Sequence, residues 1–216
     1  LTKAAQELAD FWHTEAPCAT VTVADAKVTV QWGTAQGCSW RGKTYSGTTS
    51  VAVVSAGGGE LKVQHTWTDF SDGRVKITGT ADVTWSTNPG QRHVVSTWTA
   101  TRLAGAQAGQ QASGKGDVVQ KFIDPAAAWA GGVQVDGERS WTTAKGTTTL
   151  RSEGVQLRGI DPVPQAGVLR LFRADARQIE VSFQRLDAER IQVSVTAGGR
   201  TLKFVVKPAG TVEPAG

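Results

Sequence analysis

LKVQHTWTDFSDGRVKITGTADVTWSTNPGQRHVVSTWTAT, residues Leu61–Thr101, decides the fold class. Leu61, Val63, His65 and Trp67 fall on one side of a two-residue period, and Lys62, Gln64, Thr66 and Thr68 fall on the other. Ser71–Asp72–Gly73 reads as a hairpin loop with glycine where a left-handed residue is required. Val75, Ile77, Ala81, Val83 and Trp85 then share a face, with Lys76, Thr78, Thr80, Asp82 and Thr84 opposite. Asn88–Pro89–Gly90 turns the chain again. Val94, Trp98 and Ala100 continue the apolar face, and His93, Thr97, Thr99 and Thr101 the polar one. Three strands in one phase predict an antiparallel meander with one wet face.

Working outward toward the N-terminus, residues 2–13 predict a helix. Thr2 can cap it, and Ala4, Leu8, Phe11 and Trp12 form a stripe at helical spacing, suited to packing on a sheet. From Ala19 the period becomes two. Thr20–Val23 and Lys27–Trp32 read as one long strand interrupted at Ala24–Asp25–Ala26 by a bulge or turn. Trp40–Val54 follows, with Gly42 and Gly47 allowing bends and Gly57–Gly58–Gly59 a turn.

On the other side, residues 103–117 are rich in Gly, Ala, Gln and Ser without periodicity and read as a loop or linker. Strand pattern resumes at 118–123, 133–135, 140–143 and 147–157, with a turn through Asp124–Trp129 and an extended loop at Asp161–Pro164. Three final strands centre on Val181, Val193 and Phe204, and Gly198–Gly199 closes the last hairpin as a two-residue primed turn. The expected fold class is therefore all-β: antiparallel meanders forming a sandwich or partly open barrel, with one short N-terminal helix. A single domain over 1–216 is expected, with a soft boundary near 103–117 and a frayed tail from Pro208.

Composition narrows the class. No apolar run approaches the roughly 18 residues that span a bilayer, so no transmembrane helix is expected. The net charge of +4 is dispersed, with Arg170, Arg173 and Arg177 set among Asp161, Asp175 and Glu180. That texture predicts a solvated surface and no nucleic-acid partner. The sequence begins at Leu1 and contains no Met, which reads as the removal of a start segment. Its two cysteines, Cys18 and Cys38, lie in neither a C-x-x-C nor a zinc spacing, so a Cys18–Cys38 disulfide is expected. Both features lead to an expected location outside the cytosol: periplasmic, outer membrane-associated or extracellular.

Few residue patterns point to chemistry. His13, His65 and His93 have no metal-motif spacing, and no cofactor or metal is expected. Neither a G-x-S-x-G elbow nor a Walker loop is present. Asp69, Asp72 and Asp82 lie on one hairpin and are the candidates for a carboxylate pair, although acidic residues at hairpin ends are commonly turn formers. Tryptophan is the outlying residue, eight against one tyrosine. Trp32, Trp67, Trp85 and Trp98 fit apolar strand faces. Trp40, Trp129 and Trp141 stand beside turns and are the candidate ligand or partner surface. The many Thr residues of the wet face suit exposed strand positions.

The segment TWTDFSDGRVKITGTADVTW, Thr66–Trp85, resembles hairpins of uncharacterised exported proteins or lipoproteins of GC-rich Gram-negative bacteria of the myxobacterial type. The resemblance implies an envelope location and assigns no functional residue. Cys18 follows Glu15–Ala16–Pro17, which is not a lipidation context, so an anchoring cysteine would lie upstream of Leu1. The leading expectation is a non-enzymatic exported or cell-envelope protein that binds a ligand or an envelope protein through a sheet face or end loops. A carboxylate-dependent hydrolase on a β scaffold and an assembly subunit pairing through an edge strand are the alternatives.

Overall fold

The computed structural model describes residues 2–33, 37–88, 90–208 and 210–214. Pro89, in the expected turn at 88–90, and Ala209, Ala215 and Gly216, in the expected tail, lie outside the described residues. The chain divides into two compact units: unit 1, Leu1–Thr87 with Val94–Lys115, and unit 2, Asn88–His93 with Gly116–Gly216.

Unit 1 opens with helix α1 (Thr2–Glu15). Strands β1 (Thr20–Ala24), β2 (Lys27–Gln31), β3 (Cys38–Trp40), β4 (Lys43–Gly57), β5 (Glu60–Ser71) and β6 (Val75–Thr87) follow. Their antiparallel order is β1-β2-β4-β5-β6, with β3 paired to β4. Residues 94–102 of β7 (Gly90–Arg102) and 111–115 of β8 (Gln111–Phe122) also belong to unit 1. Unit 2 continues through β9 (Val133–Thr143), β10 (Gly146–Leu157), β11 (Ala166–Phe172), β12 (Gln178–Arg185), β13 (Ile191–Ala197), β14 (Arg200–Val206) and β15 (Val212–Pro214), paired in sequence order. In each unit the order is linear, so the sheet is open and not a closed barrel. The antiparallel all-β class with one N-terminal helix is as expected.

Register explains the legibility of the central hairpin. Leu61, Val63, His65 and Trp67 of β5 face Trp85, Val83, Ala81 and Gly79 of β6. Large and small residues then alternate: a Cβ at Gly79 would come within 2.4 Å of the Thr97 carbonyl, and one at Gly114 within 2.3 Å of the Trp98 ring. The Trp98 indole thus lies over Gly114, which supplies apolar cover where the strand has no side chain. This accounts for the small-residue run at 112–114, which belongs to β8 and not to a loop as expected.

Other expectations are revised. Ala24–Lys27 is a hairpin between two strands, with Asp25 left-handed at φ 54°, not a break in one strand. The buried stripe of α1 is Ala5 and Ala9, with Leu8 and Trp12 packed beside them, while Ala4 and Phe11 are exposed. Small residues let the helix axis approach the sheet closely, and that wins over maximal apolar bulk. Strand β11 was not foreseen from the sequence. Residues 212–214 of the expected frayed tail pair with β14.

Unit 1 has its core under α1: Ala5, Ala9, Ala16, Val21, Val28, Val30, Trp32 and Cys38 are all buried. In unit 2 a smaller cluster joins Val118, Val135 and Val155, with Val133 and Leu169 against it. Unit 2 also holds ion pairs across its strands, with Arg170 between Glu153 and Glu180, and Arg185 on the buried Asp161 carboxylate.

Register shifts occur at Ser46/Thr48, where β4 meets β5, and at Trp67/Phe70, where β5 meets β6. Asp69 is left-handed there (φ 48°), and Gly47 takes φ 86°. The Gly47 carbonyl accepts the Trp32 backbone N–H at 2.9 Å. A Cβ at Gly47 would lie 2.2 Å from the Asp69 carbonyl oxygen. Gly47→Ala is therefore expected to destabilise unit 1 by about 2 kcal/mol in urea unfolding, because a left-handed backbone and a backbone clash coincide.

Candidate functional site

The bulge at Asp69 sets up a concavity in unit 1. Strict alternation from Trp67 would put Asp69 on the apolar face; the bulge substitutes Phe70. An open cavity of about 470 Å³ results, lined by Trp12 of α1, Trp32 after β2, Trp40 of β3, Tyr45 of β4, and Trp67 and Phe70 of β5. Leu8, Val28, Val30 and Val51 supply the aliphatic wall. Trp12, Trp32, Trp40, Tyr45 and Phe70 form a continuous network. Trp12 meets Trp32 and Trp40 edge-on, at centroid distances of 5.3 and 5.4 Å. Tyr45 stacks on Phe70 at 5.6 Å, and both contact Trp32, at 5.4 and 5.9 Å.

Polar atoms in the wall are sparse. The Trp32 Nε1–H donates to Thr49 Oγ1 at 3.0 Å. The Trp40 Nε1–H is buried and has no hydrogen-bond partner among the described residues. Leaving a buried donor unpaired costs about 1–3 kcal/mol, so this atom stands out against its satisfied neighbour. His65 also lines the cavity, its ring near-parallel to Trp67 at 6.3 Å.

The helix side of the cavity is covalently tied to the sheet side. Cys18, just after α1, is bonded to Cys38 of β3, with Cα atoms 5.3 Å apart. This is the expected pairing, and Cys38 is buried in the core. Beside it, Arg41 Nη2 pairs with the Glu15 carboxylate at 3.1 Å, and its guanidinium carbon lies 4.8 Å from the Trp40 ring centroid.

Of the three tryptophans singled out in the sequence, Trp40 belongs to this cavity and is half-buried. Trp129 and Trp141 belong to unit 2. Trp129 sits in the 3-10 turn Ala128–Gly131, 51% exposed and edge-on to Phe122, and Trp141 lies within β9 opposite Thr148. Sequence reasoning missed Trp12, Tyr45, Trp67 and Phe70 as cavity residues. The available signals were the Leu8/Trp12 spacing and the solitary Tyr45.

The three aspartates are committed elsewhere. Asp69 pairs with Lys76 at 3.2 Å, and Asp82 accepts from Gln64 Nε2 at 2.9 Å. The Asp72 carboxylate accepts the N–H groups of Val75 and Arg74, which hold its pKa below the usual value. That direction is opposite to the one a general acid requires. The bonds stabilise the fold above the unfolded Asp pKa of about 3.9, and the contribution is lost as pH falls through the lower folded value. Asp72→Asn is expected to flatten this acid dependence while changing stability at neutral pH by about 0.5 kcal/mol, the site being exposed. Urea unfolding at pH 7 and pH 3 measures both. In unit 2, His93 Nε2 lies 2.7 Å from Asp117 Oδ1 on an exposed surface.

Among the described residues, no group of three or more His, Cys, Asp or Glu could hold a metal ion, and no helix is long and apolar enough to cross a membrane. No family model, no curated protein and no solved structure matches the chain.

Proposed function

We propose that the chain is a non-enzymatic binding protein, working outside the cytosol, whose unit 1 cavity takes up an apolar small molecule. The carrying observation is the cavity itself: about 470 Å³, walled by six aromatic side chains, with few polar atoms. Small-molecule sites occupy about 300–1,000 Å³ and are lined in this way. The Cys18–Cys38 bond supports an oxidising compartment, periplasmic or extracellular, since such bonds are rare among reduced cytosolic proteins. The hydrolase and edge-strand readings have no comparable observation in their favour.

Titration of the full chain with N-phenyl-1-naphthylamine tests the reading, because this apolar fluorophore brightens on leaving water. Saturable binding is expected, weakened about tenfold or more by Val51→Trp, which fills the cavity. Absence of saturable binding, or equal binding by a folded Val51→Trp variant, would sink the proposal.

A further inference from the structure

We infer that the occupant is a single-chain carboxylate, its alkyl chain in the aromatic cavity and its carboxylate held by Arg41 and the Trp40 Nε1–H; this rests on the cavity reading above. Three observations converge on one corner of unit 1. The buried Trp40 Nε1–H lacks an acceptor among the described residues, whereas the Trp32 indole has Thr49. A hydrocarbon would leave that donor unpaired; an oxygen-bearing head group would satisfy it. Second, the Arg41 guanidinium lies 4.8 Å from the Trp40 ring centroid, so a planar cationic fork stands beside the same indole.

The third observation is backbone conformation. Arg41 and Gly42 form the two-residue turn between β3 and β4, with φ values of 49° and 76°. Such a turn prefers Asn or Asp before the glycine, because a larger side chain with a left-handed backbone is disfavoured. An arginine stands in a position where asparagine fits better, which points to a use for its side chain.

The only acid paired with Arg41 among the described residues is Glu15, at 3.1 Å, near the end of α1. A ligand carboxylate therefore competes with Glu15 for the guanidinium. It reaches the buried Trp40 Nε1 as the neighbouring Trp12 ring, its centroid 5.4 Å from that of Trp40, gives way. Binding is thus coupled to the C-terminal end of α1, while the disulfide keeps the segment tethered.

Decanoate and 1-decanol, which share a tail length, are compared by displacement of N-phenyl-1-naphthylamine from the full chain. Decanoate is expected to bind about tenfold tighter, as a charge-assisted bond would give. Arg41→Asn, which suits the turn and preserves the fold, should abolish that preference and leave decanol affinity unchanged. Glu15→Gln should strengthen decanoate roughly two- to fivefold and leave decanol alone, consistent with removal of an exposed competing charge. Equal affinity for the two ligands, or an equal loss of both in Arg41→Asn, overturns the carboxylate assignment while the cavity reading stands. Failure of the probe and both ligands to bind overturns the two together.

Discussion

Replacing Trp32 by alanine is expected to lower the stability of unit 1 by about 3–5 kcal/mol, the range for deleting a buried large aromatic side chain. Trp32 is 3% exposed and contacts Trp12, Trp40, Tyr45 and Phe70. No neighbouring ring can fill the gap without abandoning another contact, so the site collapses poorly and the cavity penalty is retained. The change also removes the donor to Thr49. Trp32→Phe keeps an aromatic ring but loses the bond and some volume, and should cost about 1–2 kcal/mol. Domains are typically stable by about 5–15 kcal/mol, so the alanine variant forfeits a large fraction. Urea unfolding followed by hydrogen exchange in β2, β4 and β5 measures the effect. A loss under about 1 kcal/mol would show that the ring cluster does not organise the unit.

Reduction of the Cys18–Cys38 bond, or its replacement by serines, should cost about 3 kcal/mol in the chain-entropy account for a loop of this length. The two residues are 20 apart in sequence. The effect should be confined. Amide exchange is expected to accelerate in α1 and β1–β3, because the bond joins the end of the helix to β3, while β9–β14 keep their protection. Leu8 and Trp12 reach the cavity only through α1, so reduction should also weaken N-phenyl-1-naphthylamine binding. Uniform loss of protection across both units would contradict this placement of the bond's effect.

The central hairpin was legible because its information is local. Leu61, Val63 and Trp67 alternate, Asp72–Gly73 supplies the turn, and the partner residues run only from Glu60↔Ser86 inward. The cavity was not legible, because its walls come from a helix and four separate chain segments, and its phase depends on a bulge at Asp69. No propensity rule marks an aspartate between Trp67 and Phe70 as the residue to be skipped. Trp40 stands out in the sequence by its place beside a turn; in the structure its ring is half-buried and lies against Tyr45. In α1, Ala5 and Ala9 displaced Ala4 and Phe11 from the interface, since close approach to the sheet favours small side chains. Strand β11 went unseen because Val168–Leu169–Arg170–Leu171 fits strand or helix equally, and only pairing with β10 and β12 decides.

The sequential pairing of the strands has a kinetic consequence. Within unit 2, each strand from β9 to β15 bonds to the one before it in sequence, and in unit 1 only the short β3 interrupts that order. Apart from β2–β4, each ladder can therefore close as a hairpin, without waiting for a distant segment, and local contacts favour fast folding. The two cysteines lie 20 residues apart, within the first 40 residues of the chain. A chain emerging N-terminus first could lock α1 to β3 before β5 exists, then add strands one hairpin at a time. Refolding of the oxidised protein should lack the slow phases that long-range β pairing imposes.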